Sequence, residues 1–212
     1  RVLSVLQHLK LSATQDSSSR GRINVSLNNR IGVNKVGNVN SNGFSVQVIS
    51  SFSDLPKVIQ NDATYKDENG KTQNYDVSGV WHDGTLYVVA DQVYGDSNKQ
   101  LTTFDAYEEL LTHEIVGHFG VQKLFGNEYK TKFQQLFNAL GKLEGIRKIA
   151  KDNGVDMQQF ESAYIEPYTQ GVKDEIYTES DVQQALVSEL FAFVAQNAKS
   201  RPFVRQKLKE VI

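Results

Sequence analysis

Residues 112–119 read THEIVGHF and hold two of the four histidines of this 212-residue chain, His113 and His118. Glu114 follows the first histidine directly. Zinc accepts imidazole nitrogen and carboxylate oxygen, and two histidines on one helix supply most of the protein ligands of a catalytic site. Because the chain has no cysteine, any metal must be held by His, Asp or Glu. These eight residues predict a helix that carries a zinc site.

The spacing of the two histidines differs from the usual metalloprotease arrangement. Histidines that share a metal on a regular helix stand four residues apart, whereas His113 and His118 are five apart. Five steps of about 100° turn the second ring roughly 140° away from the first. A π-type turn absorbs one extra residue and often occurs at functional sites. We therefore expect a bulged helix, in which Gly117 removes a side chain that would resist the bulge.

The helical wheel indicates that this site faces the protein interior. His113, Glu114 and His118 lie away from the stripe that contains Glu109, Thr112 and Lys123, which we expect to face solvent. A buried carboxylate needs a partner such as a metal ion. With zinc bound, Glu114 is placed to accept the proton of the attacking water. The structural alternative is a pair of core histidines satisfied by hydrogen bonds.

The chain before the histidine segment contains the strand signals. Residues 1–43 predict a partly mobile arm with a short helix in its first dozen residues and weak strands or turns after it. Residues 44–51 alternate like a half-buried strand, and Pro56 marks the start of a short helix. Residues 62–76 are polar and predict an exposed loop.

A hairpin is the clearest strand signal. Two apolar runs, 77–82 and 85–90, are separated by Asp83-Gly84, a pair typical of a type I′ turn. We expect residues 77–82 to form an edge strand of the sheet. After Gly95 the pattern is helical, with helices predicted at 103–124, 127–142, 143–152, 156–168, 178–198 and 202–211. Strands followed by helices predict an α+β domain.

Composition excludes several classes of protein. The formal net charge of -2, with both signs mixed along the chain, favours neither nucleic acid nor an anionic membrane as a partner. No run of about eighteen apolar residues is present, so we expect a soluble protein. The chain begins with Arg1, which fits a fragment of a longer protein. We predict an arm at 1–43, a domain at 44–200, and a basic C-terminal helix or linker start at 201–212.

The HEIVGH segment resembles the HExxGH signature of the dipeptidyl peptidase III family, in which both histidines bind zinc and the glutamate is the general base. That family has a second signature, EExxA(D/E), whose second glutamate is the third ligand. Residues 188–193 read SELFAF and keep Glu189 and Ala192, but have Ser188 and Phe193 in place of the two outer acids. The resemblance implies Glu189 as the third ligand, without the acids that orient the histidines.

A closer likeness, over about residues 44–212, is to metallopeptidase-like domains of very large polyvalent proteins from phages and conjugative elements. Those domains read as a Gly-Val strand, a YLVAD strand, an LLHEAVGHxGL helix and a later EExLA helix. The counterparts are SGV at 78–80, LYVVAD at 86–91, LLTHEIVGHFGV at 110–121 and SELFA at 188–192. The likeness implies a zincin-like α+β fold with a small twisted sheet, an active-site helix and a helical C-terminal part, and it implies hydrolysis of a peptide or protein substrate. In zincins an extended peptide can add to the edge strand, for which residues 77–82 are the candidate.

Other residues and functions remain open. The apolar neighbours of Glu189 predict that it is enclosed. His8 and His82 are expected at the surface, without a metal. An inactive zincin-like binding module, suggested by the missing acids, and a protease that processes only its own parent chain are the alternative functions. Competing third ligands are Glu161, Glu166 and Glu175, and candidate oxyanion donors are Tyr164, Tyr168 and Tyr177.

Overall fold

The computed structural model describes residues 1–9, 11–26, 43–66, 69–75, 77–93 and 103–196. Its architecture is α+β, as predicted, with the strands in the first half of the chain and the longer helices in the second. The chain divides into two compact units, Arg1–Leu111 and Thr112–Ile212. The helix predicted at 202–211 lies outside the described residues.

The first unit contains a five-stranded mixed sheet and a separate two-stranded one. The large sheet has the order β1-β2-β3-β7-β6, in which only the β3–β7 pair is parallel. The small sheet pairs β4 with β5 in antiparallel fashion. The elements of this unit are α1 (Val2–His8), β1 (Ser12–Gln15), β2 (Arg22–Ser26), β3 (Gly43–Ile49), a 3₁₀ turn (Phe52–Asp54), α2 (Lys57–Asp62), β4 (Thr64–Lys66), β5 (Thr72–Asn74), β6 (Gly79–His82), β7 (Thr85–Val89) and α3 (Thr103–Leu111).

The predicted hairpin is confirmed. Strands β6 and β7 pair antiparallel with His82 opposite Thr85. Asp83 and Gly84 both have positive φ angles, 46° and 72°, which is the backbone that a type I′ turn requires. Strand β6 is an edge of the described sheet, so its position agrees with the expected edge strand. The binding of a peptide to it stays a prediction.

Both the expected arm at 1–43 and the expected loop at 62–76 contain secondary structure, which corrects the second expectation. The expected arm at 1–43 contributes α1, β1 and β2, and β2 pairs with β3 along its whole length. These elements agree with the short helix and the weak strands expected in this segment, and backbone pairing joins β2 to the sheet. The expected loop at 62–76 instead contains β4 and β5. Asn69-Gly70, with Gly70 at φ 75°, is a turn signal that favours hairpins.

The second unit is helical. The chain passes from α3 into a π-helix, and α9 is its longest α-helix among the described residues. The elements are the first π-helix (Thr112–Gly120), α4 (Val121–Phe125), a 3₁₀ turn (Gly126–Glu128), α5 (Tyr129–Ala139), α6 (Lys142–Asp152), α7 (Met157–Phe160), a second π-helix (Glu161–Ile165), α8 (Glu166–Lys173) and α9 (Glu179–Gln196).

Helix α9 lies at the centre of this unit. Its apolar residues are buried around most of its circumference, including Leu186, Leu190 and Phe191, which is the pattern of a helix enclosed by others. Its neighbours include the first π-helix, α5 and α6. Phe133 and Phe160 are fully buried in the same apolar core. A helix enclosed in this way holds its polar side chains in fixed positions.

None of the helices in the described part of the chain combines the length and the apolar character needed to cross a membrane.

Candidate metal centre

The first π-helix brings the two histidines together. The Nε2 atoms of His113 and His118 lie 3.2 Å apart, and the two ring centroids are 4.9 Å apart. Hydrogen bonds from i to i+5 place residues five apart on one face of a π-helix. The π-type distortion predicted from the spacing is therefore confirmed, and it extends over nine residues from Thr112 to Gly120.

Glu189 of α9 faces both histidines. Its Oε2 lies 3.5 Å from His113 Nε2, and its Oε1 lies 3.5 Å from His118 Nε2. The Glu189 side chain is 13% exposed, so its predicted enclosure is confirmed. The structure thus brings together the two histidines and the glutamate that the second motif indicated.

Glu114 lies beside this cluster and is also buried. One ligand atom each from His113, Glu114 and His118 can be chosen within 4.8 Å of one another. Two carboxylates, Glu114 and Glu189, therefore accompany the two imidazoles. Of these, Glu189 is the one that contacts both Nε2 atoms at 3.5 Å, a position that suits a shared ligand.

Gly117 is required for a reason that the sequence did not reveal. A Cβ atom at Gly117 would lie 2.2 Å from the Cα of Ala192 and 2.6 Å from its Cβ. Glycine therefore permits the close approach of the π-helix to α9. This packing, which brings the histidines close to Glu189, is a second role for the glycine; its expected role in the bulge stays a prediction.

Neutral side chains of α9 lie within hydrogen-bond distance of the Nδ1 atoms of both histidine rings. His113 Nδ1 lies 3.0 Å from Gln196 Oε1, and His118 Nδ1 lies 2.8 Å from Ser188 Oγ. Ser188 occupies the position of the missing first acid, so that position still supplies a hydrogen-bonding oxygen. Phe193, in place of the last acid, packs edge-on against the His113 ring at 4.9 Å.

The sequence analysis did not predict a role for Gln196 at the metal centre, although its position on the helix could have indicated one. Gln196 stands seven residues after Glu189, two turns along the same face of α9. Comparison with the EExxA(D/E) pattern directs attention only to positions 188 and 193. The oxygen that contacts His113 comes from one turn further along the helix.

The electrostatics of the centre suit a cation. Burial raises the pKa of Glu189, but contact with His113 and His118 outweighs it and lowers the pKa to about 2, so the carboxylate is ionised at neutral pH. Burial likewise lowers the pKa of His118, while the nearby Glu189 and the charge of Glu114 raise it above its ordinary value overall. Two negative charges therefore favour a positive charge at this point.

The positions of the donor atoms fit zinc. Ligands at about 2.0–2.2 Å from a tetrahedral zinc lie roughly 3.3–3.6 Å from one another. The three contacts among His113, His118 and Glu189 measure 3.2, 3.5 and 3.5 Å. Glu189 Oε2 is buried and has no hydrogen-bond partner among the described residues. A metal ion would satisfy this oxygen together with both Nε2 atoms.

Comparison with models of known protein families, with curated proteins and with solved structures finds no match. The interpretation of the site therefore depends on its own residues and their geometry. The resemblances to the HExxGH signature and to the polyvalent-protein domains stay predictions.

The three candidate tyrosines differ in their distance from this centre. Burial, followed by the charges of Glu189 and Glu114, raises the pKa of Tyr164 far above its ordinary value. Burial and the charge of Glu189 raise the pKa of Tyr168 to about 12. Tyr177 contacts the Tyr168 ring and is exposed. Tyr164 is therefore the tyrosine that can best donate a hydrogen bond at the site.

The competing carboxylates have other surroundings. Both oxygens of Glu161 bind Arg147, with Arg147 Nη2 3.0 Å from Glu161 Oε2. Glu166 and Glu175 are exposed. Of the other histidines, both in the first unit, His8 is exposed and pairs with Glu108 at 3.3 Å, while His82 is half-buried.

Proposed function

We propose that the second unit holds a zinc ion and hydrolyses peptide bonds, as a zincin-like domain similar to those of phage and mobile-element polyvalent proteins. The observation that carries this proposal is the convergence of His113 Nε2, His118 Nε2 and the Glu189 carboxylate within 3.5 Å of one another. Glu114 stands next to them in a buried position. Two imidazoles and one carboxylate, with a second carboxylate nearby, form the donor set of catalytic zinc.

The choice of zinc follows from the donors. Calcium and magnesium prefer an all-oxygen environment, whereas two imidazole nitrogens favour zinc and its transition-metal neighbours. The small separations between donor atoms fit four-coordinate zinc and leave one position for a non-protein ligand.

Each residue has a defined task in the proposed reaction. Bound zinc would polarise the scissile carbonyl and lower the pKa of a coordinated water to about 7. Glu114 accepts a proton from the attacking water and delivers it to the leaving amine, so that the peptide C–N bond breaks without a covalent enzyme intermediate. Tyr164, whose raised pKa keeps its phenol protonated, donates a hydrogen bond to the oxyanion that develops.

The contacts of Ser188 and Gln196 weaken the case for an inactive site. The absence of the outer acids suggested that the histidines lack orienting partners, which would favour a module used only for binding. Both Nδ1 atoms instead contact oxygen atoms of α9. These partners support a functional centre.

The first experiment measures the metal content of the purified, tag-free protein by elemental mass spectrometry, with His113→Ala as the control. About one zinc per chain, lost in the control, supports the site. Peptide cleavage is then followed by mass spectrometry for wild type, Glu114→Gln and the exposed-site control Glu128→Gln. Glu114→Gln should keep the metal and lose cleavage.

Three outcomes separate the alternatives. Failure to bind zinc at neutral pH refutes the proposal. Zinc binding with no cleavage of any peptide by the wild type supports a binding module. Cleavage confined to a longer parent chain supports autoprocessing.

A further inference from the structure

Three residues of α9 at intervals of four form a stripe against the first π-helix. Ser188 contacts His118, Ala192 packs against Gly117, and Gln196 contacts His113. Residue numbers rise along α9 as they fall along the π-helix, so the two helices run antiparallel where they meet. The two hydrogen bonds therefore lie one turn on either side of the closest approach.

We propose that Gln196 and Ser188 are positioning residues that hold the rings of His113 and His118 with their Nε2 atoms toward the metal. Because Gln196 and Ser188 are neutral, the centre binds zinc more weakly than it would with carboxylates at these two positions. This inference rests on the proposed function, because it concerns the same metal. It assigns a role to two side chains that the motif either omits or replaces.

The chemistry of glutamine fixes the tautomer of His113. The Gln196 oxygen that faces the ring can only accept a hydrogen bond, so His113 Nδ1 must carry the proton at the 3.0 Å contact. A neutral imidazole has only one N–H, and Nε2 is therefore left with the lone pair that a metal needs. For His118, the Ser188 hydroxyl oxygen can accept from Nδ1 at 2.8 Å in the same way.

The charge balance explains the expected affinity. Glu114 and Glu189 supply two negative charges at the centre, which balance a zinc dication with two neutral imidazoles. Carboxylates in place of Ser188 and Gln196 would add negative charge next to the rings and make the imidazoles stronger donors. Neutral partners orient the rings without this gain. The centre should therefore bind zinc more tightly when an acid is introduced.

The test uses two substitutions at one position and a matched control. Gln196→Leu removes the acceptor at similar size, while Gln196→Glu restores an oxygen and adds charge. Gln184→Leu makes the same change on α9 at a glutamine that instead bonds to Ser180. Zinc dissociation constants are measured by competition with a chromophoric chelator. The tautomer of His113 is read from ¹⁵N NMR of the metal-free protein, at a pH high enough for the histidine rings to be neutral.

Gln196→Leu should weaken zinc binding by about 10–100-fold and lose the Nδ1–H tautomer of His113. Gln196→Glu should keep that tautomer and bind zinc at least about threefold more tightly than wild type. Gln184→Leu should match wild type in both measurements. Unchanged affinity and tautomer in Gln196→Leu would overturn the inference, as would weaker zinc binding in Gln196→Glu.

The NMR measurement separates this inference from the proposed function. A wild-type protein that binds no zinc, in which the His113 tautomer still depends on Gln196, would overturn the zinc site but support the positioning contact. If Gln196→Leu does not fold, Ser188→Ala with the tautomer of His118 tests the same idea. Loss of the Nδ1–H form there supports the positioning role, and its retention overturns it.

Discussion

Replacement of Gly117 by alanine tests the link between helix packing and the metal centre. The added Cβ would lie 2.2 Å from the Cα of Ala192, whereas carbon atoms that touch prefer a separation of about 3.5–4.0 Å. The π-helix and α9 must therefore separate by about 1.3 Å or more. The obstacle is backbone, so a side-chain rotation cannot relieve it.

The separation acts directly on Glu189. This residue stands three positions before Ala192, within one turn of the closest approach, and therefore moves with α9. Zinc sites tolerate deviations of about 0.2 Å in ligand distance. A displacement of more than about 1 Å removes Glu189 from the coordination sphere unless the helices bend. Zinc affinity should fall by about 100-fold or more, the upper end of the range for perturbed supporting residues.

The effect on stability should be smaller. Overpacking of a core costs about 1–3 kcal/mol, while alanine in place of glycine gains up to about 1 kcal/mol within a helix. The net loss is at most about 3 kcal/mol, which lowers Tm by at most about 12 °C for a chain of this size. Chelator competition measures the affinity, and calorimetry of the metal-free protein measures the Tm.

The controls come from the same pair of helices. Gly120→Ala lies on the same π-helix, and among the described residues its Cβ would meet only the Ile115 carbonyl oxygen, at 3.2 Å. It should leave zinc affinity near that of wild type. Ala192→Gly in the Gly117→Ala background removes the methyl group of Ala192 but leaves its backbone in the way of the new side chain, so it should not restore binding. Wild-type affinity in Gly117→Ala would refute the claim that this approach positions Glu189.

Three further predictions concern single side chains. Glu189→Gln should weaken zinc binding by more than about 100-fold, whereas the exposed control Glu175→Gln should not change it; equal effects in the competition assay would remove Glu189 as a ligand. Hydrogen bonding to Arg147 lowers the pKa of Glu161. This half-exposed pair therefore stabilises the fold by about 0.2–1 kcal/mol above pH ~4.5. The stabilisation is lost as the pH falls through the lowered pKa of Glu161. Urea unfolding of Arg147→Met should therefore differ from wild type at pH 7 and converge with it in acid, and a constant difference contradicts the assignment. Tyr164→Phe should lower kcat by about 10²–10³ with little change in zinc affinity, and wild-type kcat would exclude Tyr164 as the oxyanion donor.

Part of the metal centre could be predicted from the sequence, because His113, Glu114 and His118 lie within six residues of one another. The five-residue spacing of His113 and His118 required a departure from the α-helix, and the structure contains a π-helix there. The helical wheel was wrong for Thr112, which is fully buried rather than exposed. The wheel assumes about 100° per residue, and this assumption fails where i to i+5 hydrogen bonds begin.

In the sheet, the sequence predicted only the pairing of two strands that follow each other directly along the chain. Asp83-Gly84 fixes the β6–β7 hairpin through its own backbone preference. The parallel pairing of β3 with β7, and the antiparallel pairing of β2 with β3, join segments that are distant along the chain. Such pairs depend on which surfaces become buried together, and an alternating pattern does not specify a partner. For this reason the sequence of residues 12–26 indicates only weak strands and not the sheet to which they belong.

The first π-helix and α9, which carry the two motifs of the centre, constrain each other more strongly than either motif suggests. A regular helix would place His113 and His118 about 140° apart, so the π-helix is needed before the two rings can share a metal. The same helix must then approach α9 closely enough for Glu189 to reach both rings, which excludes a side chain at Gly117. Once the helices are this close, Ser188 and Gln196 lie within hydrogen-bond distance of the outer nitrogens. Neutral residues suffice at these two positions because the geometry, rather than added charge, fixes the rings.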